Sequence, residues 1–97
     1  MLVGEFLAIA ILEAGWATTA SESGERANEA DQLRYFQEMK AWAASTNTTL
    51  FWFEAFDEPW KGSPDPLEPE KHWGLFDVNR LPKRVMRDLY AELLQPE

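Results

Sequence analysis

The stretch Leu50–Phe56 reads LFWFEAF. It is short, rich in aromatics and apolar on both parities except at Glu54, the pattern of a strand buried on both faces of a sheet. A carboxylate inside such a strand needs a partner, so Glu54 reads as a structural, hydrogen-bonded group. Trp52 and Phe53 beside it read as core. Toward the C-terminus, Asp57–Glu70 (DEPWKGSPDPLEPE) is too rich in proline for a helix or a strand. Gly74-Leu75-Phe76 reads as a short extended piece. Pro82 sits where a helix can begin. Val85, Leu89 and Leu93 then recur four residues apart, with Met86, Tyr90 and Leu94 alongside, as in an amphipathic closing helix. Toward the N-terminus, Ser45-Thr46-Asn47 ends a helix that starts between Glu25 and Asn28 and runs to about Ala44. Asn28 is suited to cap it, with Glu29 and Asp31 in the positive field of its first turn. Leu33, Phe36, Met39 (or the stem of Lys40) and Ala43 give that helix one apolar face, and Trp42 reads as core or helix packing. Before it, Thr18–Gly24 is a small, polar loop. Phe6–Leu12 (FLAIAIL), bounded by Gly4 and by Glu13-Ala14-Gly15, is a second buried strand.

The order is therefore β–loop–α–β–long loop–α. Strands that alternate with helices indicate a parallel α/β arrangement. Two parallel strands cannot close a sheet, and each exposes an apolar edge. The chain reads as part of something larger, with no internal repeat and no low-complexity linker.

Composition narrows the function. The 97 residues include 17 acidic and 9 basic side chains, a formal charge of −8. That balance argues against nucleic acid as a partner, since nucleic-acid binders present a basic face. It gives no polybasic attraction to anionic membranes either. Cysteine is absent and histidine occurs once, which excludes a cysteine nucleophile and a multi-histidine metal site within these residues. Phe6–Leu12 is far shorter than the roughly 20 residues that a membrane span needs. No basic residue precedes it, so it lacks the start of a secretory signal.

Both strands lead into carboxylates and tryptophan: Glu13-Ala14-Gly15-Trp16 after the first, and Glu54-Ala55-Phe56-Asp57-Glu58-Pro59-Trp60-Lys61 at and after the end of the second. In α/β barrels the active site gathers at the C-terminal ends of the strands. A carboxylate there can attack or stabilise an oxocarbenium-like sugar centre, and an aromatic ring beside it offers a flat apolar surface to a pyranose.

Glu13–Trp16, FWFEAFDEPWK (Phe51–Lys61) and EKHWGLFD (Glu70–Asp77), in that order and spacing, resemble glycoside hydrolase family 17, the β-1,3-glucanases and related β-glucan transferases. The likeness runs from about Phe6 to about Lys83 and is closest to the microbial branch. It implies a fold of α/β class, the last quarter (β7-α7-β8-α8) of a (β/α)8 TIM barrel. Residues 1–97 would then be a partial catalytic domain, truncated relative to the family. It implies retaining chemistry that needs no cofactor or metal, with Glu13 at the position of the nucleophile. The acid/base glutamate, at the end of β4 in the family, is absent from this chain. Lys61 is expected as the cation near that nucleophile. Glu58 and Glu70 match a charge and hydrogen-bond network around the cleft, and Trp16 matches the motif tryptophan. Trp60 and Trp73 are expected sugar platforms. Ala14, Ala17 and Thr18 stand where the family motif has Thr, Pro and Ser.

Blander readings stand beside these. Glu58 and Lys61, three residues apart, could form a solvated ion pair worth about 0–1 kcal/mol. His72 reads as a structural histidine and Asp65–Glu70 as mostly solvated loop. The competing function is a non-catalytic α/β fragment that binds sugar, self-associates or pairs with a complementary barrel piece. The expected ligand on either reading is a β-glucan or an oligosaccharide.

Overall fold

The computed structural model describes residues 9–20 and 24–94, with side chains from residue 14 onward. Two strands, β1 (Ile9–Ala14) and β2 (Thr48–Trp52), pair in parallel, Ile9 opposite Thr48 and Ile11 opposite Leu50. The register shifts between Ile11 and Ala14, so that Ala14 faces Trp52. Helix α1 (Glu29–Ser45) connects them, and a short helix α2 (Arg84–Leu89) closes the chain. Single 3-10 turns occupy Gly24–Arg26, Pro69–Lys71 and Ala91–Leu93.

The start and stop of α1 follow from its sequence. Asn28 is extended, and its side-chain oxygen accepts from the Asp31 amide at 2.7 Å, which satisfies one of the unpaired donors of the first turn. At the other end the hydroxyls of Ser45 and Thr46 both donate to the Trp42 carbonyl. Asn47 then turns the chain with a φ of 53°, a left-handed conformation that asparagine tolerates. Leu33, Phe36 and Ala43 are buried as expected. Gln32 is buried as well, completely, and donates to the carbonyls of Trp16 and Gly74. Trp42 departs from expectation: it is exposed, on the side of α1 away from the core.

Leu33, Phe36 and Val85 form the core cluster, with Trp52, Leu75, Met86, Leu89 and Tyr90 packed around it. This cluster lies on one side of β2. Thr48, Leu50 and Trp52 point toward it, while Thr49 and Phe51 on the opposite face are exposed, Phe51 by 52 %. Alternate side chains of a strand face opposite ways, so one face of β2 is covered and the other bears an uncovered phenylalanine.

Three boundaries differ from the sequence reading. Residues 9–12 of the stretch expected as Phe6–Leu12 lie in β1, which continues to Ala14, and Phe6–Ala8 fall outside the described residues. The second strand begins earlier and ends at Trp52 rather than Phe56. The reason is a change of hydrogen-bonding partner. Phe53 N still donates to Ala14 O at 2.9 Å, but Glu54 N donates to Trp73 O. Leu75 N and Phe76 N then donate to Ala55 O, and Asp57 N donates to Phe76 O. Phe53–Asp57 thus leaves β1 for Trp73–Phe76, the extended piece expected at Gly74–Phe76. The closing helix spans only Arg84–Leu89. Its single helical run ends at Tyr90, whose ring meets Phe36 edge-on at 6.2 Å and whose hydroxyl accepts from Lys40. Leu93, expected on the apolar face, lies in the following 3-10 turn and is exposed.

The crossing of these loops is held by a buried ion pair absent from the sequence reading. Lys83 Nζ donates to Asp57 Oδ1 at 2.7 Å, to Thr18 Oγ1 at 2.8 Å and to His72 O at 3.2 Å. The same Asp57 oxygen accepts from Gly74 N at 2.8 Å. Both charged side chains are nearly inaccessible, at 6 %. Removing one partner of such a pair strands a charge, whereas replacing both with apolar groups is often neutral. Lys83→Met alone is expected to destabilise the fold by about 3–5 kcal/mol, and the Asp57→Leu/Lys83→Met pair to recover most of that. Urea unfolding followed by tryptophan fluorescence checks both.

Candidate active site

The parallel pairing puts the C-terminal ends of β1 and β2 side by side. The bond from Phe53 N to Ala14 O fixes Glu13-Ala14-Gly15-Trp16 against the start of Phe53–Lys61. The bond from Glu54 N to Trp73 O brings in Glu70–Asp77. Three separate sequence motifs thereby meet at one end of the sheet. Gly15 marks how closely they approach. A Cβ there would stand 2.1 Å from Phe53 O and 2.7 Å from the Trp73 ring, so only glycine fits between the two motifs. Beside it is a recess of about 320 Å³ lined by Ala14, Gly15, Phe53, Glu70 and Trp73.

Glu13 is the penultimate residue of β1, directly before Ala14, which lines this recess; its side chain lies outside the described residues. Lys61, expected as the cation beside Glu13, has its ammonium on two other carboxylates. Nζ donates to Glu54 Oε1 at 3.1 Å and makes an ion pair with Glu58. It also lies 4.6 Å from the centroid of the Phe53 ring, a cation–π contact. The partner expected for Glu54 is thus Lys61, and Glu58 and Lys61 are not merely a solvated i,i+3 pair, because the half-buried lysine bridges both acids. The peptide bond Phe53–Glu54 is cis.

The two acids differ in environment. Burial pushes the Glu54 carboxyl above its ordinary 4.5, against the opposing pull of the Lys61 hydrogen bond. The Lys61 hydrogen bond holds Glu58 below 4.5, with smaller contributions from Glu54 and Arg80. Lys61 itself is raised, first by its bond to Glu58. Linkage follows from those signs. The Glu58 interaction stabilises the fold above about pH 4.5 and is lost as pH falls through its lowered value. Glu54 favours the fold below about pH 4.5 and loses that contribution as pH rises through its raised value. One oxygen of Glu54, Oε2, is buried with no hydrogen-bond partner, and so is Nε1 of Trp73. Orphaned polar atoms of this kind are rare in folded chains.

The other expected residues take distinct places. Trp73 forms a wall of the recess and meets Phe53 edge-on at 6.0 Å. Glu70 lines the same recess but is exposed and, among the described residues, is not hydrogen-bonded to Glu58 or Lys61. The expected carboxylate network therefore joins Glu58 to Glu54 through Lys61 and leaves Glu70 apart. Trp16 donates its indole N–H to Arg26 O and packs on Tyr35 at 5.2 Å. It lines a neighbouring cavity of about 370 Å³ with Gly15, Ala17 and Trp73. Trp60 is 71 % exposed and borders a separate groove with Pro66, Lys71 and His72. His72 is structural, as read, with Nε2 2.7 Å from Pro66 O. Among the described residues no group of three or more acidic or imidazole side chains could hold a metal ion, and no helix is long and apolar enough to cross a membrane. Lys61→Met is expected to raise the titration midpoints of both carboxyls, because each loses the hydrogen bond from a cation that holds it down. Carboxyl-detected NMR across pH 2–8 checks it.

No family model matches the chain. It is 34 % identical over 85 residues to a glucan 1,3-beta-glucosidase of Arthroderma benhamiae, a match over 77 % of this chain and 26 % of that protein. An endo-laminarinase from Formosa superposes with a TM-score of 0.75 at 33 % identity, over 82 % of this chain and 22 % of that one. A glycoside hydrolase family 17 beta-1,3-glucanosyltransferase from Rhizomucor miehei superposes with a TM-score of 0.67 at 25 % identity, over 80 % and 28 %. The chain thus spans about a quarter of the length of the relatives it matches. With its motifs, its β-α-β-α order and these likenesses in agreement, the chain is similar, over most of its own length, to a part of the glycoside hydrolase family 17 fold.

Proposed function

We propose that the chain is the β7-α7-β8-α8 part of a retaining enzyme that hydrolyses or transfers β-1,3-glucan, and that Glu13 is its nucleophile. The observation that carries this reading is the meeting of the three motifs at the C-terminal ends of β1 and β2, locked by the Phe53 N to Ala14 O and Glu54 N to Trp73 O bonds. That is the end of the strands where barrel active sites assemble.

On this reading Glu13 attacks the anomeric carbon as the glycosidic bond breaks, forming a glycosyl-enzyme. Retaining chemistry then needs a second carboxyl about 5–5.5 Å away, to protonate the leaving oxygen and afterwards to activate water or an acceptor hydroxyl. The family's glutamate for that role belongs to barrel strand β4, outside these residues. Phe53 and Trp73 wall the recess next to Ala14, the residue after Glu13, and Glu54, Lys61 and Glu58 form a charged cluster against the Phe53 ring. The unpartnered Glu54 Oε2 and Trp73 Nε1 are an acceptor and a donor of the kind that sugar hydroxyls satisfy. The Rhizomucor miehei glucanosyltransferase, as an active-site mutant, was solved in complex with laminaritriose, and a β-1,3-linked glucan is the substrate class proposed here.

The uncovered face of β2, with Thr49 and Phe51 exposed, favours a second element of the reading. In a closed barrel that face turns to the interior and meets layers of side chains from the other strands. The partner proposed for it is the complementary part of the barrel, with self-association of the apolar face as the competing outcome.

The test is reducing-sugar release from laminarin. The 97-residue chain alone is expected to release none. Grafted in place of the matching segment of the Rhizomucor miehei enzyme, it is expected to support turnover that Glu13→Gln lowers by at least about a thousandfold. Turnover by a folded graft that survives Glu13→Gln would overturn the assignment.

A further inference from the structure

Lys71 is 8 % exposed, and no carboxylate pairs with it among the described residues. A buried ammonium is costly unless its protons are taken up. Here they go to main-chain carbonyls on either side of one residue. Nζ donates to Pro59 O at 2.9 Å and to Lys61 O at 2.6 Å, bracketing Trp60. The same turn is closed from within by the bond from Lys61 N to Glu58 O at 3.1 Å. Beyond it Gly62 has a φ of 71°, and a Cβ there would strike the Glu68 side chain. Lys71 is itself anchored, since its amide donates to Glu68 O and it ends the 3-10 turn Pro69–Lys71. The backbone direction at Lys61 is therefore imposed from three sides. From that direction its side chain runs to Glu54, Glu58 and the face of Phe53, while Trp60 projects into solvent.

We infer that Lys71 is a positioning residue: by clamping the carbonyls of Pro59 and Lys61 it sets the Lys61 ammonium between Glu54 and Glu58. Lys71 touches neither acid. It acts through the turn, from the third motif on the second. The inference rests on reading the Glu54–Lys61–Glu58 cluster as part of the glucan site, but its test needs no turnover.

The test is a double-mutant cycle on the full chain, read by the carboxyl titration midpoints of Glu54 and Glu58. The variants are Lys71→Gln, Lys61→Met, both together, and Lys71→Arg, with the amide spectrum reporting the fold. Lys71→Gln is expected to raise both midpoints in the direction of Lys61→Met, by at least about half of the rise measured for Lys61→Met. In the Lys61→Met background it is expected to add nothing. Lys71→Arg, which keeps the charge and can still donate to two carbonyls, is expected to return both midpoints toward those of the unmodified chain. Three results would overturn the inference. The midpoints could stay unmoved in folded Lys71→Gln. They could shift equally with and without Lys61, which would make Lys71 a direct charge on the acids. Lys71→Gln could lose the whole fold, which would make it a general staple. Failure of the glucan reading would show as an inactive graft with these midpoints behaving as described, so the two failures are separable.

Discussion

The carboxylate of Asp57 is the point on which the loops of this chain depend. It sits at the end of the segment where the chain leaves β1 for Trp73–Phe76, and one of its oxygens accepts from both Lys83 Nζ and Gly74 N. Lys83 in turn reaches Thr18 and the His72 carbonyl. Four segments distant in sequence are joined there: the loop after β1, the loop after β2, the third motif and the entry to α2. The apolar core alone is small, with Leu33, Phe36 and Val85 at its centre, and it lies on the helix side of β2. It does little to hold the loops at the other end. A charge pair buried to this degree gains strength from the low local dielectric but is costly if broken. The geometry of the recess therefore rests on an interaction that must be complete to be favourable. Gly74 adds a steric condition, since a Cβ on it would lie 2.3 Å from the Asp57 amide nitrogen.

The division of labour among the acidic residues follows from what each one faces. Asp57 is consumed by structure. Glu54 and Glu58 share one lysine yet are pushed in opposite directions, Glu54 upward by burial and Glu58 downward by its bond to Lys61. Glu70 is exposed at the recess. In a chain of formal charge −8, this placement puts scarce cations where carboxylates crowd: Lys61 between two of them, Lys83 on the buried one. Lys71 takes no carboxylate and shapes the turn that carries Lys61.

What the sequence made legible was local or motif-borne. Asn28 as a cap, the hydroxyls that stop α1 and the buried positions Leu33, Phe36 and Ala43 all follow from helical periodicity and end chemistry. The requirement for a partner at Glu54 followed from a carboxylate in an apolar strand, and Lys61 meets it. The end of β2 was not legible, because an aromatic run looks the same whether its amides bond to β1 or to Trp73–Phe76. Trp42 looked like core because a tryptophan on a helix usually is; its exposure, like that of Phe51, lies where this part of the fold has no covering element. Gln32, Asp57, Lys71 and Lys83 were missed for one reason. Their burial comes from contacts as many as 65 residues apart, and a buried polar side chain has no periodic signature.

The account turns on Glu13 forming the covalent bond to sugar at the meeting of these motifs. The most direct measurement is peptide mass spectrometry after the grafted enzyme reacts with an activated, slowly hydrolysed 2-fluoro β-glucoside. The glycosyl adduct is expected on the peptide that contains Glu13, and to vanish in Glu13→Gln. An adduct on Glu54 or Glu58, or a working enzyme with none on Glu13, would contradict it.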